Sequence, residues 1–363
     1  MLLIAAAEPV GDPVLLWRAA EQIGLGVHAA APAEAVGLVD LGTRVRFRHP
    51  LVRSAVYGAA TLENRQAAHR ALAEVTDPRV DPDRRAWHRA QAALGPDDDV
   101  ADELERSADR ALARGGLAAA AAFLERAAAL TPEAGARARR ALTAAQADEQ
   151  AGAPQAALKL LATVESWPLD ELQRAMVERL RGQIAVHLRR DNDAGPLLLN
   201  AARQLEPLDI RLARETYLEA LYAANVSGRL GNGLLEVAQA ARAAPRLPPP
   251  QPANDMLLDG LAVRFTQGYV AGAPLLKRAL RALRDQEVPC DPKVRWLSLA
   301  LRTAADLFDD ETWHELATRQ VRIAQDTGAL SVLPLALVNL AHLRIFAGEF
   351  DAAAALLDQA DAV

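Results

Sequence analysis

The sequence predicts an all-α fold: a small N-terminal module holding one short β-hairpin, followed by a solenoid of paired helices. Three observations carry this. Hydrophobic residues make up 51% of the 363 residues but aromatics only 4%, so Ala and Leu fill the apolar share, and both favour helix. A single stretch, Leu38–Arg48, shows the period-two alternation of a strand. Glycines recur behind helical segments with Ala and Leu at fixed offsets, the mark of a repeated unit.

The module comes first. Val14–Ile23 (VLLWRAAEQI) has helical apolar spacing, and Gly24 stops it. A short helix over Pro32–Val36 follows. Leu38–Arg48 (LVDLGTRVRFR) then reads as two strands around a turn at Asp40–Thr43. In the second strand Arg44, Arg46 and Arg48 alternate with Val45 and Phe47, which places three guanidinium groups on one face and the apolar pair on the other. His49 is pushed toward extended geometry by Pro50, and Pro50 suits the first turn of the next helix. Leu51, Val52, Ala55, Val56 and Ala59 form one apolar stripe on that helix. Helix, helix, hairpin, helix is the order of a winged-helix module.

Beyond residue 60 every segment reads as helix: 61–76, 83–94, 99–114, 117–130, 133–151, 154–165, 169–189, 193–205, 208–227 and 231–244, then 254–270, 272–286, 292–307, 311–327, 331–347 and 350–361. The connections are short, so consecutive helices are expected to be antiparallel neighbours. Gly116, Gly152 and Gly348 are followed four residues later by Ala120, Ala156 and Ala352, and eight later by Leu124, Leu160 and Leu356. The first two glycines lie 36 residues apart, close to the ~34-residue tetratricopeptide period. The full consensus is lacking, so these are degenerate tetratricopeptide-like repeats. Pro245–Pro252 (PRLPPPQP) holds five prolines and reads as a stiff extended connector between two blocks of repeats.

The expected organisation is a winged-helix-like module over residues 1–60, connecting helices over 61–96, repeats over 97–244, the connector 245–252, and further repeats over 253–363. A solenoid end normally carries a polar cap. Ala352–Leu357 offers an apolar face instead, so the chain is expected to be a piece of something longer.

Bulk properties exclude several functions. With 41 basic and 47 acidic residues the net charge is −6, which argues against holding nucleic acid by bulk attraction. A single cysteine, Cys290, allows no internal disulfide and suits a reducing compartment, so a cytoplasmic location is expected. The N-terminus lacks the basic region of a signal peptide, and no segment offers 18 uninterrupted apolar residues for a membrane span.

Catalytic motifs fail on their physical requirements. No GxxxxGK[ST] phosphate loop and no GxSxG elbow occurs. Gly24, Gly26 and Ala29 match a loose dinucleotide pattern but follow a helix rather than a strand, so they read as a helix stop and loop. His314-Glu315 begins a zinc-type motif that Thr318 breaks. Asp97-Asp98-Asp99 reads as a helix cap rather than a cation site. Cys290 has no histidine near it in sequence. No enzyme, metal site or resident cofactor is expected. Charge concentrates in one place, at Arg44, Arg46, Arg48, His49 and Arg53. That cluster is either a solvated strand face or a surface for phosphate, carboxylate or a partner.

The stretch VRFRHPLVRSAVY (45–57) resembles the large ATP-binding LuxR-type regulators of actinobacteria. So do ENRQAAHRALAEV (63–75), DPDRRAWHRAQAALGPDDDVADELERSADRALARGG (81–116) and the AAAAAFLERAAALTPE that follows. The match covers residues 1 to about 165, and the remainder is similar only as a degenerate helical array. The resemblance implies a STAND-class ATPase ahead of the winged-helix piece, a helical-repeat sensor, and a C-terminal LuxR helix-turn-helix. On that basis ATP or ADP belongs to the full-length family rather than to this chain, and DNA contact to a C-terminal domain outside it. The implied partners are the ATPase domain of the same protein and a small-molecule or protein inducer, with no membrane. STAND proteins often set a winged-helix histidine against the nucleotide phosphate, which the resemblance carries over to His49, with structural packing as the other reading. Arg44, Arg46, Arg48 and Arg53 become an anion or interdomain surface. The alternative is a stand-alone tetratricopeptide-like adaptor that binds peptides or proteins.

Overall fold

Twenty α-helices and one two-stranded hairpin make up the described residues of the computed structural model, which are 1–8, 10–188, 191–226, 233–285, 297–326, 329 and 332–363. Cys290 lies outside them. The chain divides into two units, Met1–Arg110 with Ala122–Arg140, and Ala111–Ala121 with Ala141–Val363.

In the first unit α1 (Leu2–Ala7) and α2 (Pro13–Gln22) precede a 3-10 turn (Val27–Ala30) and α3 (Ala31–Ala35). Asp12 caps α2 by accepting from the backbone N–H groups of Val14 and Leu15, with Pro13 at the first helical position. Strand β1 (Val39–Asp40) pairs antiparallel with β2 (Arg46–Phe47), Val39 opposite Phe47 and Asp40 opposite Arg46. The hairpin is shorter than expected, because only these two residue pairs meet. The alternation holds: Val45 is buried and Phe47 half-buried, while Arg44, Arg46 and Arg48 are exposed. Helix α4 (Pro50–Ala59) departs from expectation, since it buries none of its residues. Its stripe is half-sunk at Val52 and Val56 and open at Leu51, Ala55 and Ala59. Ile4, Leu16, Ala19, Val39, Val45 and Leu72 share one core with α5 (Leu62–Val75). Helix α1 is the element the sequence reading passed over, because six residues show too little periodicity.

Helices α6 (Pro82–Ala92), α7 (Asp98–Leu112), α8 (Leu117–Leu130) and α9 (Ala134–Gln150) follow. Asp97 caps α7 by accepting from the Val100 N–H, so the aspartate run serves the helix terminus.

The second unit continues through α10 (Pro154–Val164), α11 (Glu171–His187), α12 (Asp191–Leu205), α13 (Ile210–Val226) and α14 (Gly233–Ala243). It ends with α15 (Ala253–Gln267), α16 (Tyr269–Asp285), α17 (Leu297–Asp306), α18 (Asp310–Asp326), α19 (Leu333–Phe346) and α20 (Phe350–Asp361). Each sequential pair from α10 to α13, and again from α13 to α20, packs together, as short connections require. Pro245–Pro252 is non-helical, as its prolines dictate. The core nonetheless runs past it without a break, from Ala185 to Leu343. Arg214 crosses from α13 to pair with Asp255 and, at 2.6 Å, with Asp259 on α15, while donating to the Pro245 carbonyl at 3.1 Å.

The repeat register differs by one residue from the expected frame. The left-handed residues are Gly115, Gly152 and Gly348, with φ of 74°, 81° and 78°. Counted from these, Ala120, Ala157 and Ala353 are buried, as are Leu124 and Leu161, whereas Ala156 and Ala352 are exposed. In the Gly115-Gly116 doublet it is the first glycine that ends the helix, and that choice sets the frame. A second repeat escaped the sequence reading. Gly182 of α11 lies against Leu198 of α12, and Gly260 of α15 lies against Leu276 of α16; an added Cβ at either glycine would sit 2.6 Å from the leucine. Both leucines follow a proline inside the helix, Pro196 and Pro274. Glycine here is a requirement of close helix approach.

Candidate functional site

The charged cluster divides into structural and outward-facing parts. Arg44 donates its Nε–H to the Val10 carbonyl at 2.8 Å. Arg53 donates to the carbonyls of Ala6 at 2.9 Å and Glu8 at 3.4 Å. Both guanidinium groups thus serve carbonyls at or just beyond the C-terminus of α1, where orphaned acceptors favour cations. Glu8, buried at the same junction, accepts from the backbone N–H groups of Val10, Gly11 and Asp12 and faces Arg84 at 3.5 Å. The Gly11 carbonyl accepts from the Val45 N–H at 2.9 Å; Gly11 has φ of +76°, and a Cβ there would meet the Val45 oxygen at 2.6 Å. The hairpin is therefore pinned to the segment behind α1.

The guanidinium groups of Arg46 and Arg48 remain exposed, with no hydrogen-bond or ion-pair partner among the described residues. His49 is the N-cap of α4, and its Nδ1 accepts from the Leu51 N–H at 3.1 Å. With Nδ1 accepting, the ring N–H lies on Nε2. Arg46, Arg48 and the exposed His49 thus form a short run of donors at the start of a helix, an arrangement suited to an anion. Arg44 and Arg53 hold this edge in place.

Sequence reasoning missed a polar chain beneath it. The Tyr57 hydroxyl of α4 meets His69 Nε2 of α5 at 2.8 Å, and His69 Nδ1 meets His88 Nδ1 of α6 at 2.9 Å. Both histidines are buried, and His88 Nε2 has no partner among the described residues. Burial, with Arg65 nearby, pushes His69 down to about 4. Burial, then His69, then Arg84 push His88 down to about 3. The pair is neutral at physiological pH. Only one proton is shared between the two facing Nδ1 atoms. If His88 donates it, His88 Nε2 is left as a bare acceptor, which costs less than an orphaned buried N–H. The signal in the sequence was faint: His69 and His88 sit among alanines on otherwise apolar helix faces, but 19 residues apart.

The second unit contains a cleft of about 830 Å³ between the α10–α11 loop, α11 and the end of α12. That volume suits a small molecule or short peptide. Trp167, Leu169 and Val177 supply apolar lining. Glu178 accepts from Asn200 at 2.5 Å and Gln204 at 3.0 Å, both neutral donors, and has no ion-pair partner among the described residues. Arg174 donates to the Leu169 carbonyl at 2.8 Å. A cleft of this kind carries no phosphate, metal or nucleophile pattern in sequence. Among the described residues no helix is long and apolar enough to cross a membrane.

No family model matches the sequence, and no curated protein matches it. A solved structure from Pyrococcus horikoshii, a Signal Transduction ATPase with Numerous Domains (STAND) protein with a tetratricopeptide repeat sensor, aligns with 99% of this chain at 13% identity and a TM-score of 0.34. The chain spans 62% of that protein's length.

Proposed function

We propose that the chain is the regulatory and sensing portion of an ATP-dependent LuxR-type transcription regulator. In this reading it is a binding and transmission module rather than a catalyst. The first unit supplies a winged-helix-like piece that locks against a STAND-class ATPase domain, and the helical repeats take up a small-molecule or protein inducer. Inducer binding biases a two-state arrangement of module and ATPase, and DNA is contacted by a separate C-terminal domain. The observation that carries the reading is the outward run Arg46, Arg48 and His49, whose Nε2–H is free to donate to a nucleotide phosphate. The family resemblance of residues 45–116 supplies the context. The test is nucleotide retention by the longer protein that includes the ATPase. Replacing Arg46, Arg48 and His49 by Ala should speed the loss of bound nucleotide, and unchanged retention would remove the locking role.

A second reading, a peptide-binding adaptor, is favoured by the cleft around Trp167. Purified alone, an adaptor should stay monodisperse and quench Trp167 on binding peptide, whereas a regulator fragment should associate through its exposed apolar faces.

A further inference from the structure

Five helix ends share one stop signal. At Gly24, Gly37, Gly115, Gly152 and Gly348 the backbone turns left-handed. At each, the glycine N–H bonds three residues back, and the next N–H bonds five residues before itself. This is the Schellman pattern, and glycine is its natural occupant because it lacks a Cβ. The end of α17 uses the same pair of bonds, from Phe308 to Ala305 and from Asp309 to Ala304, at 3.1 and 2.9 Å. Its left-handed residue is Phe308, with φ of 56°. Among the described residues it is the one non-glycine with positive φ, and a bulky side chain there is strained. No burial offsets that strain, because Phe308 is 88% exposed.

Phe308 has company. Along the adjoining turns, Val270 is 87% exposed, Phe346 80% and Phe350 67%. The turns are physically joined. Tyr269 at the start of α16 donates its hydroxyl to the Asp306 carbonyl at 3.2 Å, and Trp313, one turn into α18, meets the Phe346 ring edge-on at 5.3 Å. Single exposed apolar side chains are ordinary, but an apolar row along three alternate hairpin turns, with Phe308, Phe346 and Phe350 in it, marks an interaction surface. Charge identifies the occupant. Arg264, Arg284 and Arg344 are each held by an acid, namely Asp306, Glu311 and Glu349. Asp309, Asp310 and Asp351, beside the aromatics, have no cation partner among the described residues. The edge is apolar and acidic.

We infer that the turn edge bearing Val270, Phe308, Phe346 and Phe350 docks a basic amphipathic segment of a partner protein, with Phe308 as its anchor. The partner's apolar side chains cover the aromatic row, and its lysines or arginines meet Asp309, Asp310 and Asp351. This surface is independent of the ATPase reading, since it requires neither nucleotide nor the Arg46 edge.

The test uses the whole chain and a fluorescein-labelled amphipathic peptide of leucine and lysine, with its leucines on one helical face. A leucine–glutamate counterpart is the control. Anisotropy titration should show binding of the lysine peptide, with at least about tenfold weaker binding of the glutamate peptide. Phe308→Gly should weaken the lysine peptide about tenfold or more. The melting temperature of that variant should equal or exceed wild type, because glycine accepts the left-handed backbone without strain. Three results would overturn the inference. One is unchanged peptide affinity in Phe308→Gly. Another is a lowered melting temperature, which would make Phe308 a structural residue. The last is sedimentation showing a concentration-dependent dimer that Phe308→Gly abolishes while the lysine peptide does not bind, which would give the edge to a second copy of the chain.

Discussion

Acidification should loosen the first unit through His69 and His88. Both are neutral when folded, with pKa values of about 4 and about 3, and return toward 6.5 on unfolding. The folded pair therefore binds fewer protons than the unfolded chain between about pH 6.5 and about pH 3. Their contribution is intact above 6.5 and is lost as pH falls from there toward about 4. At pH 5 an unfolded histidine gains about 2 kcal/mol from protonation that a buried neutral one does not, so the pair costs about 4 kcal/mol between pH 7 and pH 5. That is a large part of an ordinary domain's stability. The assay is urea unfolding at both pH values, followed by the fluorescence of Trp87, which sits on α6 beside His88 and packs on Phe123. Carboxylates also titrate in this range, so the reference is His69→Gln/His88→Gln, which keeps polar side chains but lacks the titration. Wild type should lose about 4 kcal/mol more than the variant over that interval. Equal losses would refute the neutral buried pair.

Three further outcomes follow from packing. Gly11→Ala combines a φ of +76° with a Cβ 2.6 Å from the Val45 carbonyl oxygen, so urea unfolding should show a loss of at least about 1–2 kcal/mol as the hairpin detaches. Gly182→Ala and Gly260→Ala each force a methyl against a leucine at 2.6 Å, and each should cost about 1–3 kcal/mol by thermal or urea unfolding. Arg214→Met removes the cation from Asp255 and Asp259, leaving Asp255 nearly inaccessible to water and already raised by burial. It should cost about 3–5 kcal/mol, whereas changing both sides of the pair to apolar residues should cost less.

Helices were legible because their signal is local. Apolar spacing, N-cap residues and the proline run of 245–252 placed the described helices beyond residue 60 to within a few residues of their observed ends, the expected start of 292–307 lying outside the described residues. The Arg44–Arg48 alternation correctly sorted Val45 inward and the arginines outward. What the sequence hid is what depends on a neighbour. Arg44 and Arg53 look equivalent to Arg46 and Arg48 until α1 folds up beside them and takes their donors. His69 and His88 meet only because α5 packs on α6. The exposure of the α4 stripe is likewise a property of what does and does not lie against it. Phe308 falls in the link between the expected helices 292–307 and 311–327, and a left-handed phenylalanine has no signature in sequence.

The most direct measurement is calorimetric titration of this chain with the ADP-loaded STAND-class ATPase domain supplied as a separate protein. Saturable binding, lost on combined Arg46→Ala, Arg48→Ala and His49→Ala substitution and weakened when ATP replaces ADP, is the expected result. Absence of binding, or binding that ignores both the substitutions and the nucleotide, would contradict the account.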